Sequence, residues 1–291
     1  MITDLTRRMG LNAPAHPLIT LVDYDKVNID LRDAGNWVEL DFYKITFKRN
    51  FNGSVKYGPG TYDFKEGGMA FLAPGQLVQM TAEPEDYQGY ALYFHTDLLT
   101  RYSLSQGIYH YGFFDYKVAE ALFLSAKEKL TIEALFEAIN VELNNTIDQF
   151  STDVLVSQLE LLLNHSNRFY NRQFLTRKNF HHELIANMDK WLTERFNDAL
   201  VSGLPSPLDI AAHLNVSQRY LSDMLRSLTG KTTQQYIHLA LIEKAKMLLN
   251  QTDLTTAEIA YRLGFEHPQS FNKLFKQQTR ITPAQFRQNM L

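Results

Sequence analysis

Apolar and polar residues alternate with a period of two in the first hundred positions and with a period of 3.6 after about residue 115. In WVELDFYKITFKRN, Leu40 and Phe42, then Ile45 and Phe47, are set against Glu39, Asp41, Lys44 and Lys48. That is a half-buried strand with one slip of register. Asn52-Gly53 is a hairpin turn signal. Short strands follow between Gly58-Pro59-Gly60, Gly67-Gly68 and Pro74-Gly75, and YQGYALYFHTDLL supplies another. Short strands punctuated by such turns predict a small antiparallel barrel or sandwich over about residues 15–100.

Two amphipathic helices are expected over about residues 115–174. IEALFEAINVELNNTI places Ile132, Leu135, Phe136, Ile139 and Leu143 on one face. TDVLVSQLELLLNHSNRFYNRQF does the same with Leu155, Leu159, Leu162, Leu163 and Phe169, and Ser151-Thr152-Asp153 is its candidate N-cap. These faces either pack on the barrel or meet a second copy of the chain. Residues around Leu175–Asn179 are the expected linker, with His181-His182 also placed in it, and everything beyond is helical. The division is therefore 1–174, a barrel with a helical hairpin, and 175–291, all-α.

The helical half says one phrase twice. DIAAHLNVSQRYLSDMLRSLT, from Asp209, returns as EIAYRLGFEHPQSFNKLFKQQT, from Glu258. Ile210, Ala211 and Leu214 match Ile259, Ala260 and Leu263, and Asn215 matches Gly264, both residues that tolerate a left-handed turn. One extra residue enters the second copy, so Leu221 and Leu225 match Phe271 and Phe275, and TGKTTQQY matches TRITPAQF. Each copy is a short helix, a turn and a second helix with apolar residues four apart, the helix-turn-helix pattern. Two such heads, joined by QQYIHLALIEKAKMLLN, could enter successive major-groove segments about 34 Å apart. The bland alternative is a duplicated bundle that packs on itself.

With Val216, Leu221, Met224 and Leu225 inward, Gln218, Arg219, Ser222, Asp223 and Arg226 remain for a groove. Gln and Arg make bidentate contacts with base edges. Asp223 either accepts from cytosine N4 or pairs with Arg219 or Arg226. In the second head Phe271, Leu274 and Phe275 are core, while Gln269, Ser270, Asn272, Lys273 and Lys276 face out. Lys273 and Lys276 read as phosphate contacts. Pro268 suits a first helical turn, and His267 before it either touches a phosphate or acts as a simple cap.

Residues 258–287 carry the signature of the AraC/XylS family of transcriptional regulators, and residues 181–291 resemble that family's C-terminal DNA-binding domain. The N-terminal half resembles the family's cupin-like sensing domain, GGMAFLAPGQLVQM being its most telling segment, and LLLNHSNRFYNRQF resembles the helix that leads into the linker. The resemblance implies an α+β chain: a cupin-like β-barrel with a helical hairpin, then two helix-turn-helix motifs. It implies a cytoplasmic regulator, activator or repressor, with double-stranded DNA, RNA polymerase and a small-molecule effector as partners. A homodimer through residues 132–170 is expected, with no membrane association. The chain departs from the family in its connecting helix, HLALIEK, where Leu239 and Leu241 stand in place of the customary Arg, although Lys244 and Lys246 remain.

Composition changes this picture little. The net charge of −3 hides an asymmetry: 12 Lys+Arg against 10 Asp+Glu from residue 181 on, and 17 against 22 before it. No apolar run approaches the roughly 18 residues of a membrane span, no leader-like stretch follows the two N-terminal arginines, and the absence of Cys excludes thiolate chemistry. GPGTYDFKEGGMAFLAPG lacks the paired His of metal-binding cupins, and no nucleophile elbow, phosphate loop or paired catalytic acids occur, so no metal, cofactor or catalytic residue is expected. Tyr57, Tyr62, Phe64, Tyr90, Tyr93 and His95 are the candidate effector-lining residues, and a filled core explains them equally well. A cupin-type small-molecule-binding protein or enzyme with an accessory helical domain is the alternative.

Overall fold

The computed structural model describes residues 2–25, 37–49, 54–57, 60–63, 67–79, 88–117, 120–197 and 203–289. They fall into two units, Met1–Thr176 and Arg177–Leu291. In the first, helix α1 (Ile2–Arg8) precedes strands β1 (Ile19–Asp23), β2 (Trp37–Glu39), β3 (Tyr43–Lys48), β4 (Ser54–Tyr57), β5 (Gly60–Asp63), β6 (Gly68–Leu72), β7 (Leu77–Gln79) and β8 (Gly89–Phe94). Short 3₁₀ turns at Thr96–Leu99, Ile108–His110 and Gly112–Asp115 surround α2 (Leu104–Gly107). Then come β9 (Leu122–Phe123) and the long helices α3 (Ala126–Asn144) and α4 (Ser151–Thr176).

The strands pair antiparallel in a five-stranded sheet of order β1-β8-β3-β6-β9, with β2-β7 and β4-β5 as separate pairs. Among the described residues the sheet is not closed, so the expected barrel is seen as an open sheet with two flanking ribbons. The Asn52-Gly53 turn lies outside the described residues. The slip of register is a bend at Asp41 and Phe42, after which β3 buries Tyr43, Ile45, Thr46 and Phe47.

Strand β8 is buried on both faces, which is why GYALYF shows no alternation. One face stacks Tyr90 on Phe136 of α3, with ring centroids 5.4 Å apart. The other meets a cluster built from Ile2, Met9, Val22, Tyr24, Leu40 and Phe42. On α3, Ile132, Phe136, Ile139 and Leu143 are buried as expected, while Leu135 is half-buried, and a Ser125–Glu128 capping box starts the helix. The start of α4 is held by Asp148, whose carboxylate accepts from the backbone N–H of Phe150 (2.8 Å) and Ser151 (3.0 Å), so the expected cap at 151–153 moves back one turn. The far end of α4 is tied to β9, where Gln173 accepts from the Phe123 N–H (2.8 Å) and donates to the Ala121 carbonyl (3.2 Å).

The second unit begins with α5 (Lys178–Asn197), so the expected linker is helical except at Arg177; LTRKNF contains neither Gly nor Pro to interrupt it. His181 is therefore on a helix, fully buried, with Nε2 3.2 Å from the Tyr220 hydroxyl, and not in a linker. There follow α6 (Pro207–His213), α7 (Gln218–Thr229), α8 (Thr233–Gln251), α9 (Thr256–Arg262), α10 (Pro268–Thr279) and α11 (Pro283–Gln288). Helix α8 buries Ile237, Leu241, Ile242, Ala245, Leu248 and Leu249 and packs against every other helix of this unit.

The repetition extends to the capping chemistry. Ser206–Asp209 and Thr255–Glu258 are capping boxes at the first helix of each copy, and Thr232–Gln235 and Thr282–Gln285 close each copy at α8 and α11. Hydrogen bonds to Ser206 hold the Asp209 carboxyl below its ordinary range. Gly230 ends α7 at φ 72°, and the equivalent residue after α10 is Arg280, at φ 70°. A side chain pays for the left-handed region about 1–2 kcal/mol, and Gly gives part of that back as unfolded-state entropy. Arg280→Gly is therefore expected to stabilise the protein by about 0.5–1 kcal/mol, read as a raised denaturant midpoint; a lowered midpoint would mean that the Arg280 side chain holds the turn.

Candidate nucleic-acid interface

Both copies fold into the same turn with the same bonds. In the first, the N–H groups of Leu214, Asn215 and Val216 donate to the carbonyls of Ile210 (2.9 Å), Ala212 (3.1 Å) and Ala211 (2.9 Å). In the second, Leu263, Gly264 and Phe265 donate to Ile259, Tyr261 and Ala260, each at 3.0 Å. Asn215 and Gly264 hold the positive φ that the turn requires, 56° and 93°. The extra residue of the second copy sits between this turn and its helix, since α7 starts two residues after Val216 and α10 three after Phe265.

Apolar spacing then sets what each second helix presents. On α7, Tyr220, Leu221, Met224 and Leu225 are buried, as is Val216 before it. Gln218, Arg219 and Arg226 are exposed, while Ser222 and Asp223 are half-buried. Asp223 pairs with Arg219, Oδ2 to Nε 3.1 Å, one turn away. On α10, Phe271 and Phe275 are fully buried and stacked edge-on at 5.7 Å, whereas Leu274 is half-buried and not core. Gln269, Ser270, Asn272, Lys273 and Lys276 are all exposed. His267 occupies the N-cap position, but its side chain makes no cap bond; its carbonyl instead accepts from Ser270.

The two faces differ in charge at equivalent positions. Counting from the aligned pairs Leu221/Phe271 and Leu225/Phe275, Asp223 corresponds to Lys273 and Arg226 to Lys276. The first head thus spends one Arg on an internal ion pair, while both lysines of the second are without hydrogen bond or ion pair among the described residues. On the connecting helix, Lys244 donates to Asn197 Oδ1 (2.6 Å) and Lys246 pairs with Glu243 (2.7 Å), while Leu241 is buried. Arg287 donates to the Leu249 and Thr252 carbonyls and caps the end of α8, contacts 38 and 35 positions away that no local pattern announces.

Of the six effector-lining candidates, Tyr90, Tyr93 and His95 do not share one site. Tyr90 stacks on Phe136 and accepts from Arg49 Nη2 (3.1 Å); Tyr93 lies on the opposite face, edge-on to Phe42 and 3.5 Å hydroxyl to hydroxyl from Tyr24. His95 caps the 3₁₀ turn, its Nδ1 accepting from the Asp97 N–H at 3.2 Å. Tyr57 and Tyr62 stand on β4 and β5, and Phe64 lies outside the described residues. A cavity of about 260 Å³ is lined by other residues, among them Tyr43, Tyr109, Tyr111 and Asp115. No described helix is long and apolar enough to cross a membrane.

Fold and surface together define a tandem helix-turn-helix protein with a sheet-based first unit. Residues 210–289 match the family model of a helix-turn-helix domain, and residues 52–159 match that of an AraC-like ligand binding domain. The chain belongs to the AraC family of transcriptional regulators. It is 36% identical over 93 residues to the HTH-type transcriptional activator RhaR of Cronobacter sakazakii, covering 31% of this chain and 33% of that one. It is 30% identical over 148 residues to the HTH-type transcriptional activator RhaS of Escherichia coli O1:K1, covering 50% of this chain and 49% of that one. The chain thus spans a third to a half of the length of these relatives. Among solved structures, it is similar to the C-terminal domain of the response regulator yesN from Fusobacterium nucleatum (32% identity, 35% of this chain, 95% of that chain, TM-score 0.31).

Proposed function

We propose that the chain is a non-enzymatic, sequence-specific regulator of transcription in the cytoplasm, with an effector-sensing domain over 1–174 and a DNA-binding domain over 175–291. Its partners are double-stranded promoter DNA, RNA polymerase and a small-molecule effector. The observation that carries the reading is the repeated turn with identical hydrogen bonds, each copy burying its apolar residues and turning a polar face outward. On those faces Gln218, Ser222, Asn272, Gln269 and Ser270 are the base-edge readers, Arg226, Lys273 and Lys276 are the phosphate anchors, and the Arg219–Asp223 pair orients the first helix.

Homodimerisation through residues 132–170 completes the reading. Leu130, Val141, Phe150, Val154 and Leu161 are exposed on α3, α4 and their connection. Val154, Gln158, Leu161 and His165 follow heptad spacing, and Gln158 Oε1 and His165 Nδ1 are buried without a hydrogen-bond partner among the described residues. An effector would act by changing the geometry or population of that dimer, and two linked DNA-binding units gain effective affinity when their sites are spaced to suit.

Selection of genomic fragments by the full chain at two salt concentrations tests this. A bipartite motif with halves about 34 Å apart is the expected result. Absence of binding even at low salt would leave the repeat as architecture alone and overturn the regulator reading.

A further inference from the structure

The cavity in the first unit is an unassigned site. It lies where the start of β3 meets the 3₁₀ segment, and its wall includes Tyr43, Thr96, Tyr109, Tyr111, Phe114 and Asp115. Tyr43 is stacked on Phe94 (5.0 Å) and edge-on to Phe114 (4.8 Å), so its ring is held from two sides. Burial, then the neighbouring Tyr109 and Asp115, push the Tyr43 phenol up. Tyr109 and Asp115 are exposed at the rim. Asp115 makes no hydrogen bond or ion pair among the described residues, and no lining residue carries a positive charge.

These features select by charge. A carboxylate beside electron-rich phenol rings repels anions and attracts cations, and the rings add a quadrupole term to the carboxylate's attraction. A volume of about 260 Å³ exceeds the roughly 150 Å³ that accommodates benzene in a protein core. That is room for an aryl or short alkyl body with one charged head. We propose that this cavity binds a small organic ammonium ion, its head between Asp115 and the Tyr43 and Tyr109 rings and its body against Phe114. The Tyr111 hydroxyl donates to Asn164 Oδ1 of α4 (3.0 Å), three residues beyond exposed Leu161. Tyr111 thus ties the cavity wall to the helix proposed to form the dimer; a regulatory purpose for the site, though not the binding itself, rests on the regulator reading above.

The experiment is calorimetric titration of the full chain with benzylammonium, benzyl alcohol and benzoate, without DNA. Benzylammonium is expected to bind at least ~10-fold tighter than the alcohol, and benzoate weakest. Asp115→Asn is expected to erase the preference for the ammonium, and Tyr109→Ala to weaken both binding probes. Both residues are exposed, and thermal melting checks that the variants fold. Equal affinity for ammonium and alcohol, a preference that survives D115N, or no binding of any probe at millimolar concentration would overturn the proposal. DNA binding by the wild-type chain, measured separately without any probe, tests the regulator reading, so the two can fail independently.

Discussion

Replacing Lys273 and Lys276 together with alanine is expected to weaken binding to target DNA roughly 100-fold at about 0.1 M salt, equally across sequences. Both side chains project from α10 into solvent and make no internal bond among the described residues, so nothing in the folded protein is lost with them. What is lost is the release of two condensed counterions, and the slope of log affinity against log salt should fall in magnitude by about 2. An unchanged slope would show that α10 does not face the phosphates. The same measurement on Asp223→Asn probes the first head, because it frees Arg219 from its 3.1 Å pair; there the slope should rise if Arg219 turns to a phosphate.

Gly264→Ala is expected to cost about 3 kcal/mol of stability. Gly264 sits at φ 93°, and a Cβ built there would lie 2.6 Å from the Gly203 carbonyl oxygen and 2.8 Å from its carbon. Left-handed strain contributes about 1–2 kcal/mol, and forcing backbone from backbone adds about 1–3 kcal/mol. Since Gly203 is backbone and not the end of a flexible side chain, the contact cannot be relieved by a rotamer change. Denaturant unfolding reads the effect directly; a loss under 1 kcal/mol would mean that the segment at Gly203 moves aside freely. The equivalent Asn215, at φ 56°, has a Cβ already and needs no such clearance.

Much of the second unit could be read from residues alone, for a specific reason. A helix-turn-helix is built from local signals: caps, a left-handed turn residue and apolar spacing of four. Here those signals occur twice, so that each copy checks the other. Thr-x-x-Gln at both C-terminal helices and Asn or Gly at both turns are contacts between residues three or four apart. Other positions depart from the pattern. The linker at 175–179 proved helical, and His181 was buried against Tyr220, 39 positions away. The cap expected of the His267 side chain did not form, and Leu274 stayed half-buried where Phe271 and Phe275 filled the core.

The first unit was less legible because its contacts are non-local. Tyr90 and Tyr93 differ by an odd number of positions and so point to opposite faces of β8, one toward Phe136 of α3 and one toward Phe42 and Tyr24. Both faces are buried, so the strand carries no alternation that would have separated them. Tyr43, Thr96, Tyr111 and Asp115 are brought around one cavity only by folding, across more than seventy positions of chain, and no motif announces them. The amino-acid sequence by itself determined the family and the exposed positions of α7 and α10, Gln218, Arg219, Arg226, Gln269, Ser270, Asn272, Lys273 and Lys276, because these depend on periodicity and short-range capping. Only the tertiary structure decided which aromatics line a cavity and which fill the core, that Arg219 is held by Asp223, and that Gly264 is pressed against Gly203, because each of these depends on which side chains or backbone atoms folding brings within a few ångströms.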